Sequence, residues 1–73
     1  MEKSSRVLIL FYRLLQGEHI RKANFAMEHD TTERSVDRDI YTIRIVLLEL
    51  HSVFELVFDK TDSTYYLKKK SRK

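Results

Sequence analysis

The sequence predicts a mainly α-helical fold with a small β-hairpin. Up to Leu50, apolar side chains recur at intervals of three and four, the period of amphipathic helices. After His51 the period changes to two, and residues 54–59 and 64–68 are rich in aromatic and β-branched side chains. Three helices followed by a hairpin, with a short second helix joined tightly to the third, describe a winged helix-turn-helix.

The length of 73 residues predicts one domain near the lower size limit for a self-sufficient core. Because the chain has no cysteine, neither a disulfide nor a thiolate metal site supports that core. We expect the domain to span residues 1–69 and a basic tail to span residues 70–73. The apolar runs are too short for a membrane span and no signal peptide is recognisable, so we expect a cytoplasmic protein without a membrane partner.

The net charge of +3 depends on the C-terminal end of the chain. Five of the last six residues are basic, so the rest of the chain has nine basic residues (14 − 5) against eleven acidic ones, a balance of −2. The tail therefore attracts phosphates without sequence preference. A specific nucleic-acid surface would have to come from the placement of charges on the rest of the chain, residues 1–67, which we call the body.

No arrangement of side chains indicates an enzyme. His19, His29 and His51 are scattered, without an acid or nucleophile at a recognised spacing. Glu28, His29 and Asp30 are consecutive at a helix end, so their side chains diverge and make a poor metal site. We therefore expect no catalysis, no cofactor, no metal and no small-molecule substrate.

The first helix is predicted between a serine cap, Ser4 or Ser5, and Gly17, which suits a left-handed helix end. Arg6 and Arg13 are expected on its outer side. Its core stripe is expected to consist of Val7, Leu8, Phe11, Leu14 and Leu15. The helix is also apolar outside this stripe, at Ile9, Leu10 and Tyr12.

Residues 18–21 are predicted to form a connector anchored by Ile20. The short second helix, residues 22–29, lacks an obvious N-cap. Its inward residues are expected to be Ala23, Phe25 and Ala26. Asp30 tolerates the left-handed conformation, so residues 30–31 can form the tight turn into the third helix.

The third helix, residues 32–50, has the clearest signals. Thr32 can cap its first turn. Its buried stripe is expected to consist of Val36, Ile40, Ile43, Leu47 and Leu50. At about 100° per residue, Arg34, Arg38 and Tyr41 fall on the opposite side. A helix with one buried side and arginines on the other can lie in a DNA major groove.

Residues 32–40, Thr-Glu-Arg-Ser-Val-Asp-Arg-Asp-Ile, resemble the Ser-x-x-Thr-hydrophobic-x-Arg-Asp-hydrophobic signature of the DeoR-like winged helix. The same domain forms the N-terminal DNA reader of WYL-type bacterial transcription regulators. Residues 58–60 (Phe-Asp-Lys) and 65–67 (Tyr-Tyr-Leu) resemble the wing of that group, and the resemblance covers residues 6–69. Residues 29–31 (His-Asp-Thr) depart from the bulky apolar residue, glycine and hydrophobe that are usual there.

The resemblance implies DNA contacts at Thr32, Arg34, Ser35 and Arg38 in the helix and at Lys60 in the wing. Tyr41 can bind a phosphate or merely cover a neighbour, and Lys22 precedes the second helix where this architecture approaches a phosphate. The alternative for the arginines is that they are simply solvated surface charges, and Glu33 and Asp37 on the same side can pair with them and reduce their availability. Asp39 is expected to orient a basic side chain rather than to contact DNA, because phosphate would repel it.

The second half of the third helix is apolar on several sides. If one side packs on the first helix, Ile45 and Leu48 face water, and such patches usually mark an interface. Leu10 and Tyr12 suggest the same for the first helix. We expect a homodimer through these residues or docking onto a missing effector domain. The alternative is that the wing or the tail covers them.

The leading hypothesis is sequence-specific double-stranded DNA binding, as the reader module of a bacterial-type transcription regulator. Residues 32–50 would lie in the major groove, and the wing, residues 54–69, would contact the backbone. A dimer would read half-sites roughly 34–36 Å apart. The alternative is a winged helix for protein-protein interaction or dimerisation without DNA binding, which the acidic body favours.

Overall fold

The computed structural model of the protein describes residues 3–70. It contains three helices and a three-stranded antiparallel sheet, which is compatible with a small α/β fold of winged-helix type. The elements are α1 (Lys3–Leu15), β1 (Ile20–Arg21), α2 (Lys22–Glu28), α3 (Glu33–Glu49), β2 (Phe54–Asp59) and β3 (Thr64–Lys69). Within residues 3–70 no helix is both long and apolar enough to cross a bilayer. Most of the predicted basic tail lies outside the described residues.

The sheet is larger than the predicted hairpin. β2 and β3 form that hairpin, in register from Phe54 opposite Lys69 to Asp59 opposite Thr64. β3 also pairs on its other side with β1, where Ile20 lies opposite Tyr65. The connector expected at residues 18–21 therefore supplies a third strand. Two residues are too few to show an alternating pattern, so the sequence contains no signal for β1.

All three helices end in the same way, with a left-handed residue after the last turn. Gly17 has a φ of 88°, and Asp30 and His51 have φ values of 52°. The next amide then bonds to a carbonyl five residues back, as in the 2.9 Å bond from the amide of Thr31 to the carbonyl of Ala26. The left-handed ends at Gly17 and Asp30 are confirmed, whereas His51 was not predicted to adopt this conformation.

The N-terminal ends of the three helices differ in how they are capped. The Thr32 cap of α3 is confirmed, because its Oγ1 accepts a 3.1 Å hydrogen bond from the amide of Ser35. α2 follows Arg21 without a side-chain cap, as expected. The predicted serine cap of the first helix is wrong, because Ser4 and Ser5 lie inside α1.

The core collects side chains from every helix and from the sheet. Its buried apolar residues are Leu10, Leu14, Ile20, Phe25, Ala26, Val36, Ile40, Ile43, Leu47 and Leu56. Four of the five residues predicted for the stripe of α3 are among them. Leu50 is 67% exposed, because it is the C-cap residue beyond the last helical turn. Ala23, expected to point inward, is exposed.

The predicted buried side of α1 is correct in part: Leu14 is buried and Val7 and Phe11 pack against the core, but the buried side is rotated toward Arg6 and Leu10. Leu8 and Leu15 are exposed, while Leu10 is only 1% exposed. The expectation that Leu10 belongs to an interface is therefore corrected: it is a core residue. Arg6, expected outside, is 8% exposed. The apolar pattern places this side incorrectly because it assigns every arginine to the exposed side of a helix.

Candidate nucleic-acid interface

The outward side of α3 begins with Arg34, Arg38 and Tyr41, as predicted. All three residues are exposed, and Tyr41 keeps 65% of its surface. Within residues 3–70 no carboxylate lies within ion-pairing distance of Arg34 or Arg38. The alternative that Glu33 and Asp37 neutralise them is therefore wrong for the described chain. Their guanidinium groups are open to a two-point acceptor such as a guanine edge or a phosphate.

A buried ion pair with α1 supports the orientation of α3 that its apolar stripe gives. Arg6 Nε lies 2.6 Å from Asp39 Oδ2, and Arg6 Nη2 lies 3.2 Å from Oδ1. The Asp39 side chain is completely buried and that of Arg6 is 10% exposed. The hydrogen bond to Asp39 raises the pKa of Arg6, although burial opposes this effect. The expectation that Asp39 orients a basic side chain is confirmed, and the partner is Arg6.

A second ion pair joins the start of α2 to α3. Lys22 Nζ lies 3.0 Å from Asp37 Oδ1, with side-chain exposures of 30% and 52%. The hydrogen bond to Asp37 raises the pKa of Lys22, so the lysine stays charged. Lys22, predicted to contact a phosphate, thus shares its charge with a carboxylate. Asp37 also places a negative charge beside the arginines of α3.

The hydroxyls at the start of α3 are engaged with each other. Thr32 Oγ1 accepts from the amide of Ser35 and donates to Ser35 Oγ at 3.2 Å. Both side chains therefore stabilise the first turn, which carries Arg34. Their predicted role in contacting DNA remains a prediction, and the capping role accounts for the geometry described.

The turn between β2 and β3 holds Lys60 in an exposed position. Thr64 Oγ1 donates a 2.6 Å hydrogen bond to Asp62 Oδ1, and Arg21 Nη2 donates a 3.0 Å bond to the carbonyl of Asp62. Arg21 thus ties β1 to the hairpin turn, a contact that no local pattern predicts. Asp59 and Asp62 flank Lys60, which weakens the attraction of this turn for phosphates.

The remaining residues expected at an interface are exposed on two different helices. Tyr12 on α1 is 63% exposed, and Ile45 and Leu48 on α3 are 40% and 64% exposed. Leu48 borders a groove of about 280 Å³ between α3 and β2, together with Phe54 and others. The wing therefore leaves Leu48 accessible, contrary to the alternative that it covers this residue.

A further groove of about 310 Å³ lies beside α2 and is bordered by Arg13 and His19. The guanidinium of Arg13 already pairs with Glu18 and with Glu28, each at 3.0 Å. Two carboxylates therefore compensate the charge of Arg13, whereas Arg21, which also borders this groove, donates to the carbonyl of Asp62. Within residues 3–70 no three His, Cys, Asp or Glu side chains form a cluster that could hold a metal ion.

The comparisons with known proteins found no match to any family model and none to a curated protein. The resemblance noted for residues 32–40 therefore rests on those residues and on the wing alone. Function has to be inferred from the exposed side of α3, the ion pairs that orient it and the hairpin beside it.

Proposed function

We propose that this chain is a double-stranded DNA-binding module of the winged helix-turn-helix type. In this proposal the first half of α3 enters the major groove and the β2–β3 turn lies on the adjacent backbone. The observation that carries it is the exposed stripe of Arg34, Arg38 and Tyr41 on α3. The neighbouring carboxylate of Asp39 is buried in an ion pair with Arg6 and so is absent from this surface. The order helix, strand, helix, helix, hairpin supports the same assignment.

The spacing of the two arginines suits base pairs that lie about two steps apart in one groove. Arg34 and Arg38 are four residues apart, which is about 6 Å along a helix at about 1.5 Å per residue. Successive base pairs are about 3.4 Å apart, so this separation corresponds to about two base-pair steps along one groove. An arginine bound at two points to guanine discriminates against the wrong base by about 1–3 kcal/mol.

The resemblance to DeoR-like readers gives this proposal its context. In that context the module serves a bacterial-type transcription regulator, and its arginines supply specificity while the basic tail supplies general affinity for DNA. The neutral balance of residues 1–69, 11 basic (14 − 3) against 11 acidic residues, and the Lys22–Asp37 pair limit non-specific attraction by the rest of the surface. Sequence preference would then depend on few contacts, mainly those of α3.

The first experiment is selection of bound sites from a random DNA pool, followed by titration of the selected site. We expect Arg38→Ala to weaken specific binding about 5- to 150-fold, which corresponds to about 1–3 kcal/mol. Arg13→Ala is the matched control, because it removes the same charge from α1. Circular dichroism establishes that both variants fold. Equal binding by the unaltered chain and by Arg38→Ala at moderate salt would contradict the proposal.

The second experiment distinguishes DNA binding by the folded domain from DNA binding by the basic tail, residues 70–73. Lys68 and Lys69 belong to β3 and lie opposite Glu55 and Phe54, so a deletion there would cut the sheet. Replacing Lys70, Arg72 and Lys73 with glutamine removes the tail charges and preserves the strand. A steep salt dependence that survives this change supports DNA binding by the body.

Loss of all DNA binding in the tail variant would favour the alternative, a winged helix for protein contact. Two observations favour that alternative: residues 1–69 carry no excess of positive charge, with 11 basic (14 − 3) against 11 acidic residues, and Ile45 and Leu48 continue the exposed side of α3 as apolar residues. The salt titration therefore distinguishes the two functions directly.

A further inference from the structure

We infer that the outer side of α1 is a self-association surface, which packs against the same surface of a second copy of this chain. This side carries three large exposed apolar residues. Leu8 is 66% exposed, Tyr12 63% and Leu15 50%. The inference concerns a different surface from the proposed DNA-binding side of α3 and does not depend on it.

The spacing of this surface is that of a helix-packing seam. Ser5, Leu8, Tyr12 and Leu15 follow one another at intervals of three, four and three, the spacing by which two helices interlock. At about 100° per residue they lie opposite the buried side of α1, which contains Leu10. The seam therefore remains exposed after α1 has packed on the rest of the domain.

The apolar surface continues from α1 onto α3. An open groove of about 180 Å³ between the two helices is bordered by Leu8, Phe11 and Val46, among others. Val46 is itself 38% exposed. A partner helix lying on the seam would thus also cover apolar atoms of α3, which enlarges the area removed from water.

The lack of charge on this surface favours a second copy of the chain as the partner. Charged residues make up 34% of the chain, yet the exposed described positions of α1 and its C-cap are uncharged: Ser4, Ser5, Leu8, Tyr12, Leu15 and Gln16. Charges beside a seam set the choice and orientation of the partner helix, and the exposed described positions of α1 carry none. In a two-fold dimer the same surface of each copy forms the contact. An uncharged surface can do this without repulsion between like charges. The exposed side of α3 begins with two arginines and would repel itself.

An antiparallel arrangement of the two α1 helices fits the spacing of the residues in the seam. The middle of the stripe lies close to Tyr12, so a two-fold axis there brings the two Tyr12 rings together and places Leu8 of one copy beside Leu15 of the other. Paired tyrosine rings pack well when offset. Because α1 contacts α3 by its other side, the arginines of α3 stay accessible in such a dimer.

Sedimentation equilibrium of the full chain without DNA, at tens of micromolar, tests this inference. We expect twice the chain mass of 8.8 kDa. Leu8→Glu should return the mass to that of one chain with unchanged circular dichroism. Leu48→Glu is the matched control, because Leu48 is 64% exposed and lies on α3, and it should remain dimeric. A monomeric unaltered chain, or dissociation by Leu48→Glu but not by Leu8→Glu, overturns the inference.

Cross-linking gives a second test that does not depend on a destabilising charge. The chain contains no cysteine, so a single introduced thiol reports only on its own position. Tyr12→Cys should form a disulfide between copies on mild oxidation, because the two-fold axis brings these positions close enough for the bond. Leu48→Cys should cross-link far more slowly at the same concentration. Equal rates for the two variants would show that α1 is not the interface.

Discussion

Arg38 and Asp39 are adjacent in the chain, yet Arg38 is exposed and the side chain of Asp39 is completely buried. Successive residues of a helix point about 100° apart, so the bond that holds Asp39 to Arg6 also directs Arg38 outward. The same ion pair joins α1 to α3 across 33 positions of sequence. One contact therefore contributes both to the packing of α1 on α3 and to the presentation of Arg38.

The first prediction concerns this pair. Asp39→Ala leaves the guanidinium of Arg6 buried without a counter-charge, and we expect a loss of about 3–5 kcal/mol in the free energy of unfolding. Urea denaturation followed by circular dichroism measures it. The double variant Arg6→Met with Asp39→Leu removes both charges and should be more stable than Asp39→Ala alone. A cost no larger than that of a surface substitution would show that the pair does not hold α1 on α3.

The second prediction concerns the start of α3. Thr32→Ala removes the oxygen that accepts from the amide of Ser35, and we expect a loss of about 1 kcal/mol. Thr32→Ser keeps the acceptor and should restore most of the stability. Thr42→Ala is a useful comparison, because its hydroxyl bonds only the carbonyl of Arg38 within the helix. Equal melting temperatures for Thr32→Ala and Thr32→Ser would argue against the cap.

The third prediction concerns the charge that lies beside the arginines. Asp37→Asn releases Lys22 and removes a negative charge from this surface, so DNA affinity should rise for all sequences alike. The slope of log affinity against log salt should steepen by about one unit. Glu55→Gln on β2 removes a negative charge elsewhere and serves as the control. An equal rise in both variants would mean that net charge alone is responsible.

The Lys22–Asp37 pair also predicts a pH dependence. Its hydrogen bond raises the pKa of Lys22 above the ordinary value of 10.5. The pair therefore stabilises the folded chain below that ordinary value, and the contribution is lost as the pH rises through the folded value. Thermal unfolding in alkaline buffers should show a steeper decline for the unaltered chain than for Asp37→Asn. Parallel curves would exclude a contribution from this lysine.

The fourth prediction compares the wing with the helix. Lys60→Ala removes one exposed cation from the hairpin turn, so binding should weaken modestly and by the same factor for every DNA sequence. Arg38→Ala should instead relax the preference for particular bases. Binding measured on the selected site and on a single-base variant separates the two effects. A change of base preference in Lys60→Ala would assign readout to the wing.

Several elements could be predicted because their signals are local. Thr32 and Ser35 are three residues apart, the left-handed ends at Gly17 and Asp30 depend on one residue each, and the hairpin follows from alternation in two short segments. The outward side of α3 could be predicted for the same reason, since its apolar residues repeat along one helix. The left-handed conformations of His51 and Ser63, in contrast, have no clear signal in the sequence.

The sequence by itself determined where α3 begins and ends, which of its sides carries arginines, and where the chain reverses into the hairpin. The tertiary structure alone decided that Ile20 belongs to a sheet, that Arg21 ties β1 to the hairpin turn 41 positions away, and that the buried side of α1 includes an arginine. The physical reason is that strand pairing and ion pairing depend on groups brought together from distant positions. An arginine is buried at acceptable cost only where a carboxylate from elsewhere in the chain meets it, as Asp39 meets Arg6.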